Sequence, residues 1–106
     1  MKNVKALTSR SNREYLLSSL KDPQEAAAYI ETFLALDEEG FEPELLRSAL
    51  KEVIEAREQM NNLSEEAKLH YEKLDKILLE TKAAELCSLI EFLDALGFRI
   101  AIAPKD

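Results

Sequence analysis

The sequence predicts an all-α fold, a single domain of five or six helices that ends in a short β-strand. Glycine and proline together make up five of the 106 residues, so turns are scarce. Alanine, leucine, glutamate and lysine dominate the composition, which favours helix, and apolar residues recur at helical spacing. A chain of this length supports one domain with one modest core.

The first three helices are predicted from caps and prolines. Ser11 or Asn12 caps a short first helix that ends at about Leu20. Residues 1–11 are polar and aperiodic, so we expect a flexible basic arm there, followed by the helical domain at 12–106. Asp22-Pro23 predicts an N-cap followed by proline at the first helical position, where its missing N–H costs nothing. Pro43 opens a third helix in the same way. Gly40 is typical of a stop between these two helices.

The second half of the chain has no glycine or proline from residue 64 to residue 96, so its helix boundary is predicted from the phase of the apolar residues. One stripe contains Leu63, Ala67, Tyr71, Leu74 and Leu78. A second stripe, out of phase with the first, contains Leu86, Leu89, Ile90, Leu93 and Leu96. The phase change predicts a helix boundary near 80–84.

The end of the chain has the pattern of a strand. Gly97 stops the last helix, and residues 98–102 alternate apolar with polar or small side chains. A lone strand cannot satisfy its own backbone groups. It therefore needs a partner, either the N-terminal arm or the same strand of a second copy; alternatively, the segment closes the core of its own chain.

The acidic charge of the chain is concentrated in its middle. The net charge is −7. Residues 1–21 carry five basic and one acidic side chain, residues 22–59 three basic and eleven acidic, and residues 60–106 six basic and nine acidic. An acidic protein repels a phosphate backbone at long range, so DNA binding requires a local surface. The acidic middle is typical of a solvated helix face or of a protein interface.

Residues with catalytic or metal-binding potential are few. Cys87 is the one cysteine, and its apolar neighbours predict a buried, inert thiol. Glu66 and His70 stand four residues apart, a spacing typical of a surface pair rather than of a metal site. We therefore expect no enzyme activity, no catalytic residues and no cofactor. The N-terminus lacks a long apolar run, and no stretch approaches a membrane span, so we expect a cytoplasmic protein with no membrane contact.

Three segments in order resemble a family of addiction-module antidote proteins, the antitoxins that carry a λ-repressor-like (Cro-type) helix-turn-helix domain. The segments are Asp22–Tyr29 (DPQEAAAY), Ala49–Ala56 (ALKEVIEA) and Leu89–Ile100 (LIEFLDALGFRI). Together they extend the resemblance over about residues 13–104.

This resemblance implies a helix-turn-helix at about 61–79. Asn61 would cap its first helix, Lys68 would stand in place of the turn glycine, and residues 69–78 would form the recognition helix. The side chains then expected to approach double-stranded DNA are Asn62, His70, Tyr71, Lys73 and Lys76. The implied function is that of a transcriptional regulator and antitoxin, a homodimer that binds its operator and neutralises a basic toxin.

The sequence departs from the family at several motif positions. Lys68 replaces the turn glycine, His70 the capping serine of the recognition helix and Tyr71 the adjacent arginine. Ala83-Ala84 stands where the family has Asn-Pro. These departures keep a second hypothesis open, namely a helical protein-interaction module with a degenerate helix-turn-helix and no DNA binding.

Overall fold

The described residues form an all-α fold, as predicted. The structure, a computed structural model, describes the backbone of residues 8–36 and 40–105. Within these ranges it describes the side chains from residue 12 onwards. Within these residues five helices follow one another: α1 (Thr8–Ser19), α2 (Pro23–Thr32), α3 (Pro43–Gln59), α4 (Glu65–Thr81) and α5 (Ala84–Ala95). α3 is central, because α1, α2 and α4 all pack against it, and α5 packs against α4.

The proline signals of α2 and α3 are confirmed. The Asp22 side chain accepts a hydrogen bond from the backbone N–H of Gln24 at 2.9 Å, and Pro23 is the first helical residue. Pro43 opens α3 in the same position. α1 begins at Thr8, four residues before the predicted start of the helical domain, and residues 1–7 of the predicted arm lie outside the described part of the chain.

The predicted turn at Lys68 is wrong, because α4 is one continuous helix through that position. Its N-cap is Ser64 rather than Asn61, and the Ser64 hydroxyl accepts the N–H of Ala67 at 3.0 Å. Glu65 and Glu66 in the first turn add favourable charge near the helix N-terminus. A lysine at the turn position would have to adopt a left-handed conformation at a cost of about 1 kcal/mol, whereas it continues a helix without strain.

The boundary predicted near 80–84 is confirmed. Lys82 and Ala83 both adopt left-handed backbone conformations, with φ of 54° and 56°, and separate α4 from α5. The Thr81 hydroxyl donates to the carbonyl of Ile77 at 2.8 Å and accepts the N–H of Ala83 at 3.2 Å. These side-chain bonds stabilise a turn that lacks glycine.

Two apolar clusters hold the helices together. The first joins α1, α2 and α3 around Ala56 and contains Leu17, Leu20, Ala26 and Ala56. Beside it, the Tyr29 hydroxyl donates to Glu52 at 2.6 Å, and burial together with this carboxylate raises the pKa of Tyr29 to about 12. The second cluster joins the start of α3 to the α4–α5 turn and contains Leu46, Leu78 and Ala83.

The C-terminal segment, residues 98–105, forms no strand among the described residues, so that prediction is wrong for the single chain. Gly97, with φ of 90°, ends α5, and the N–H of Phe98 donates back to the carbonyl of Leu93 at 2.8 Å. Beyond this turn, Glu31 of α2 accepts the N–H of Ile102 at 3.0 Å and a bond from Arg99. A side chain rather than a neighbouring strand therefore holds the segment.

We expect acid to release the C-terminal segment from α2. The Ile102 N–H and the Arg99 guanidinium hold the pKa of Glu31 below its ordinary value of 4.5. Because the folded pKa is depressed, the contact contributes fully above pH 4.5 and is lost as the pH falls through the lower folded value. NMR can measure amide hydrogen exchange at Ile102 from neutral pH into the acid range. As Glu31 becomes protonated, exchange at Ile102 should accelerate relative to the intrinsic rate of an unprotected amide.

Glu31→Gln provides the control for this titration. The amide keeps an oxygen that can accept from Ile102 but has no charge to lose. Exchange at Ile102 in this variant should therefore lack the acid step. The prediction would be contradicted if, in the unaltered protein, the Ile102 amide were equally protected above and below the pH at which Glu31 is protonated.

Candidate interaction surfaces

The five residues expected to approach DNA do not form one surface. His70, Lys73 and Lys76 are exposed and lie within an arc of about 120° on α4, given about 100° per residue. Tyr71 lies on a different side of the helix and is half-buried. Asn62 lies in the loop before α4, where its backbone N–H donates to the carbonyl of Arg57 at 2.9 Å. The structure thus brings three of the five together.

Tyr71 lies beside an ion pair that joins α3 to α4. Arg47 makes two parallel bonds to the Asp75 carboxylate, at 2.9 and 3.1 Å. This pairing holds the pKa of Asp75 below its usual range, while burial and the nearby Asp75 charge raise the pKa of Tyr71. The pair spans 28 residues of sequence, so no local pattern predicted it. It joins α4 to α3, and the helical register of α4 places Tyr71 on the side of this pair, away from the exposed lysines.

Acidic side chains share the exposed side of α4 with its lysines. The His70 Nε2 atom lies 3.8 Å from Glu66 Oε2, which confirms the i,i+4 surface pair predicted for these residues. The exposed acidic residues of this helix are Glu65, Glu66, Glu72 and Glu80. A phosphate backbone approaching Lys73 and Lys76 would therefore meet charges of both signs.

Large apolar side chains are exposed mainly in the second half of the chain. Ten are exposed among the described residues, and eight of them fall between residues 69 and 98. We call the set on and just after α5 the α5 stripe; its members are Leu89, Phe92, Leu96 and Phe98. They are 47–62% exposed. Periodicity predicted Leu89 and Leu96 as apolar positions but did not distinguish them from buried Ile90.

A groove lies between the start of α3 and the end of α4. We call it the α3–α4 groove; its volume is about 360 Å³ and its lining consists of Phe41, Glu42, Pro43, Glu44, Arg47, Leu78, Leu79 and Lys82. Phe41, Leu78 and Leu79 supply apolar walls, and charged side chains of both signs surround them. Its two sides are more than thirty residues apart in the sequence, so periodicity could not reveal it.

The one cysteine has the chemistry of an unreactive thiol. Cys87 is half-buried, and its Sγ atom lies 3.6 Å from Glu91 Oε2. Burial, with the Glu91 carboxylate, raises the pKa of the Cys87 thiol. A raised pKa leaves less thiolate at neutral pH, which is the opposite of what a nucleophilic cysteine needs.

Two further kinds of site are absent from the described residues. No group of three or more His, Cys, Asp or Glu side chains there is arranged to hold a metal ion. Of the helices described, none has the length and apolar character needed to cross a bilayer. Comparison with protein-family models, curated proteins and solved structures finds no match to this chain.

Proposed function

We propose that the protein is a helical protein-interaction module that holds a basic partner protein in the α3–α4 groove. One observation carries the proposal: the groove has apolar walls with two carboxylates beside them. Phe41, Leu78 and Leu79 form the walls, and Glu42 and Glu44 lie in the lining.

The groove suits one anchoring side chain better than a small-molecule substrate. Its volume of about 360 Å³ is at the low end of the range of roughly 300–1,000 Å³ for ligand pockets. Interfaces between proteins often depend on a few apolar or aromatic side chains that insert into such pockets and exclude water. An apolar anchor of the partner would contact Phe41, Leu78 and Leu79.

Charge around the groove selects the partner. The lining itself carries Glu42 and Glu44 against Arg47 and Lys82. Residues 22–59, the segment that supplies the α3 side of the groove, carry eleven acidic and three basic side chains, and this net charge favours a basic partner. Such complementarity raises the association rate and disfavours acidic competitors. Arg47 is already paired with Asp75, which reduces its repulsion of an approaching cation.

A matched pair of variants tests the groove. Leu79 lines it and Leu69 does not, although both lie on α4 and both are 56% exposed. Wild-type protein is used to capture a partner from a lysate of the source cells, and the purified partner is then titrated calorimetrically. We expect Leu79→Glu to weaken binding by at least about tenfold, because it places a charge in a desolvated contact.

Leu69→Glu should bind the partner with the affinity of wild type, since it introduces the same charge on the same helix but outside the groove. Affinity should also fall as salt rises, because salt screens the attraction between the acidic surface and the basic partner. Equal losses in the two variants, or no loss in Leu79→Glu, would rule out the groove as the binding site.

A sequence-specific DNA-binding regulator is the second candidate, and the shared exposed face of His70, Lys73 and Lys76 favours it. Lysine side chains on one face of a helix can neutralise adjacent phosphates. Together with the resemblance to antitoxins, this face supports a protein that binds its own operator. In that case the basic partner in the α3–α4 groove would be the toxin.

The salt dependence of DNA binding separates the two candidates. A fluorescent duplex of the upstream DNA is titrated with wild type, with Lys73→Ala/Lys76→Ala and with a control of equal charge change, Lys21→Ala/Lys51→Ala. If the α4 face contacts phosphates, the first double variant alone should weaken binding and reduce the salt slope. If wild type binds the upstream DNA no more tightly than random DNA at low salt, the regulator is eliminated and the interaction module remains.

A further inference from the structure

We propose that α5 is a lid over one end of the α3–α4 groove, with a hinge at Lys82-Ala83 and a latch that Glu31 forms with the C-terminal segment. The structure has the lid closed. In the open position, α5 turns about the hinge as an intact helix and uncovers Leu46 and Leu78. The motion itself is independent of what binds in the groove, whereas its effect on a partner rests on the proposed function.

The hinge is a strained turn without glycine. Lys82 and Ala83 are consecutive residues with φ of 54° and 56°, a region that residues with a side chain adopt only at a cost in free energy. Such conformations persist where surrounding contacts hold them, and they are found at switch regions. Any movement that returns these residues to a right-handed conformation releases the cost, so the backbone of the turn favours opening.

Contacts at the start of α5 hold the hinge closed. Ala83 is 2% exposed and packs with Leu46 and Leu78, and Leu86 lies against the same cluster. The Thr81 hydroxyl accepts the N–H of Ala83 at 3.2 Å. Leu78 also lines the α3–α4 groove, so the start of α5 covers apolar surface that is continuous with the groove wall. Opening therefore extends the groove towards Leu46.

The body of α5 is held by few buried side chains. Among the described helices, α5 packs mainly against α4. Ile90 is the one buried residue of this helix, whereas α3 buries Leu46, Ala49 and Ala56. Burial of apolar surface is the main force that holds a helix in place. The position of α5 consequently depends on contacts at its two ends.

The latch supplies the contact at the far end. Glu31 of α2 accepts bonds from the Arg99 guanidinium and from the N–H of Ile102, which are 68 and 71 residues away in the sequence. Within the described part of the chain, residues 99–105 make no other hydrogen bond. The Arg99 side chain is 72% exposed, so water can replace its bond. One carboxylate thus joins the end of the lid to α2, and its release leaves both apolar clusters intact.

The thiol of Cys87 can report the opening of the lid. It is the one cysteine of the chain and is half-buried on α5. Its neighbour Glu91 lies on the same helix and moves with it, so opening changes mainly the burial of the thiol. The measurement is the rate at which Cys87 reacts with an aromatic disulfide reagent at one fixed pH, in the full chain without a partner.

Removal of the latch should accelerate this reaction. We expect Glu31→Ala to react faster than wild type by at least about fivefold, because the lid loses a charged hydrogen bond and a backbone bond. Glu25→Ala is the matched control, since it removes the same charge from α2 outside the latch. It should react at the rate of wild type.

A second pair of variants tests the hinge. Lys82→Gly and Lys82→Ala both remove the lysine side chain, but glycine adopts the left-handed conformation without strain. Lys82→Gly should therefore keep the lid closed more firmly and react more slowly than Lys82→Ala, by about fivefold or more. Equal rates in these two variants would mean that the strain at residue 82 does not drive opening.

Urea separates the opening of the lid from global unfolding. A local opening exposes little surface, so well below the unfolding transition the reaction rate should change little with urea. The proposal is overturned if the rate follows global unfolding at every urea concentration, if Glu31→Ala and Glu25→Ala react alike, or if the two Lys82 variants react alike. Because no partner is present, these results are independent of the Leu79→Glu test, which addresses the groove alone.

Discussion

Leu78→Ala should lower the free energy of unfolding by about 2–5 kcal/mol, the range for large-to-small substitutions of buried leucine. Leu78 is 4% exposed and lies in the cluster that joins α3 to the α4–α5 turn. Truncation removes buried apolar area and leaves a cavity beside Leu46 and Ala83. Because Ala83 holds a left-handed conformation, loss of packing also removes support from a strained turn.

Urea denaturation followed by circular dichroism measures this effect, and Leu79→Ala is the control. Leu79 is the next residue on the same helix but is 56% exposed, so its truncation should change stability by about 0.5 kcal/mol or less. A similar loss in the two variants would contradict the burial difference between them. The comparison also separates folding from binding, because Leu79 lines the α3–α4 groove while contributing little to the core.

The parts of the fold that could be predicted from the sequence depend on local chemistry. Asp22 caps α2 because a short side chain before a helix meets its free N–H groups, and Pro23 follows because its fixed φ suits the first turn. The break at Lys82-Ala83 was visible because two apolar stripes out of phase cannot lie on one straight helix. Signals of this kind involve a few neighbouring residues and do not depend on the rest of the chain.

The helix-turn-helix shows how a resemblance can conflict with local chemistry. Matching the family placed a turn at Lys68, yet Ser64 is a good N-cap and no residue between it and Thr81 favours a break. The structure accordingly has one helix. For the same reason, the residues expected to bind DNA do not share one surface. In an unbroken helix, Tyr71 faces α3, whereas His70, Lys73 and Lys76 are exposed to solvent.

The candidate interaction surfaces depend on contacts that no local pattern encodes. Periodicity identified α5 as apolar on one side, but the core covers Ile90 and leaves Leu89 and Leu96 exposed. How much of the apolar side of α5 is covered depends on where α4 packs. The Arg47–Asp75 pair, whose members are 28 residues apart in the sequence, helps to determine that position. The α3–α4 groove likewise exists only once Phe41 and Leu79 are brought together.

Ala56→Leu should destabilise the protein by about 1–3 kcal/mol or more, because the added side chain has no room. Ala56 is 0% exposed and packs among Leu17, Leu20 and Ala26, where α1 and α2 meet α3. Any residue larger than alanine must separate these helices or adopt an unfavourable rotamer. Thermal and urea unfolding should both shift towards lower stability, with the helical signal of the folded state largely retained.

Ala67→Leu is the matched control, since it makes the same change at an exposed position of α4. Leucine and alanine both favour helix, so this variant should unfold close to wild type. A destabilisation equal to that of Ala56→Leu would mean that helix propensity, rather than packing, governs the effect. An unaltered stability of Ala56→Leu would mean that α1 and α2 can move away from α3 at no cost, and that the tight contact around Ala56 does not fix the position of these three helices.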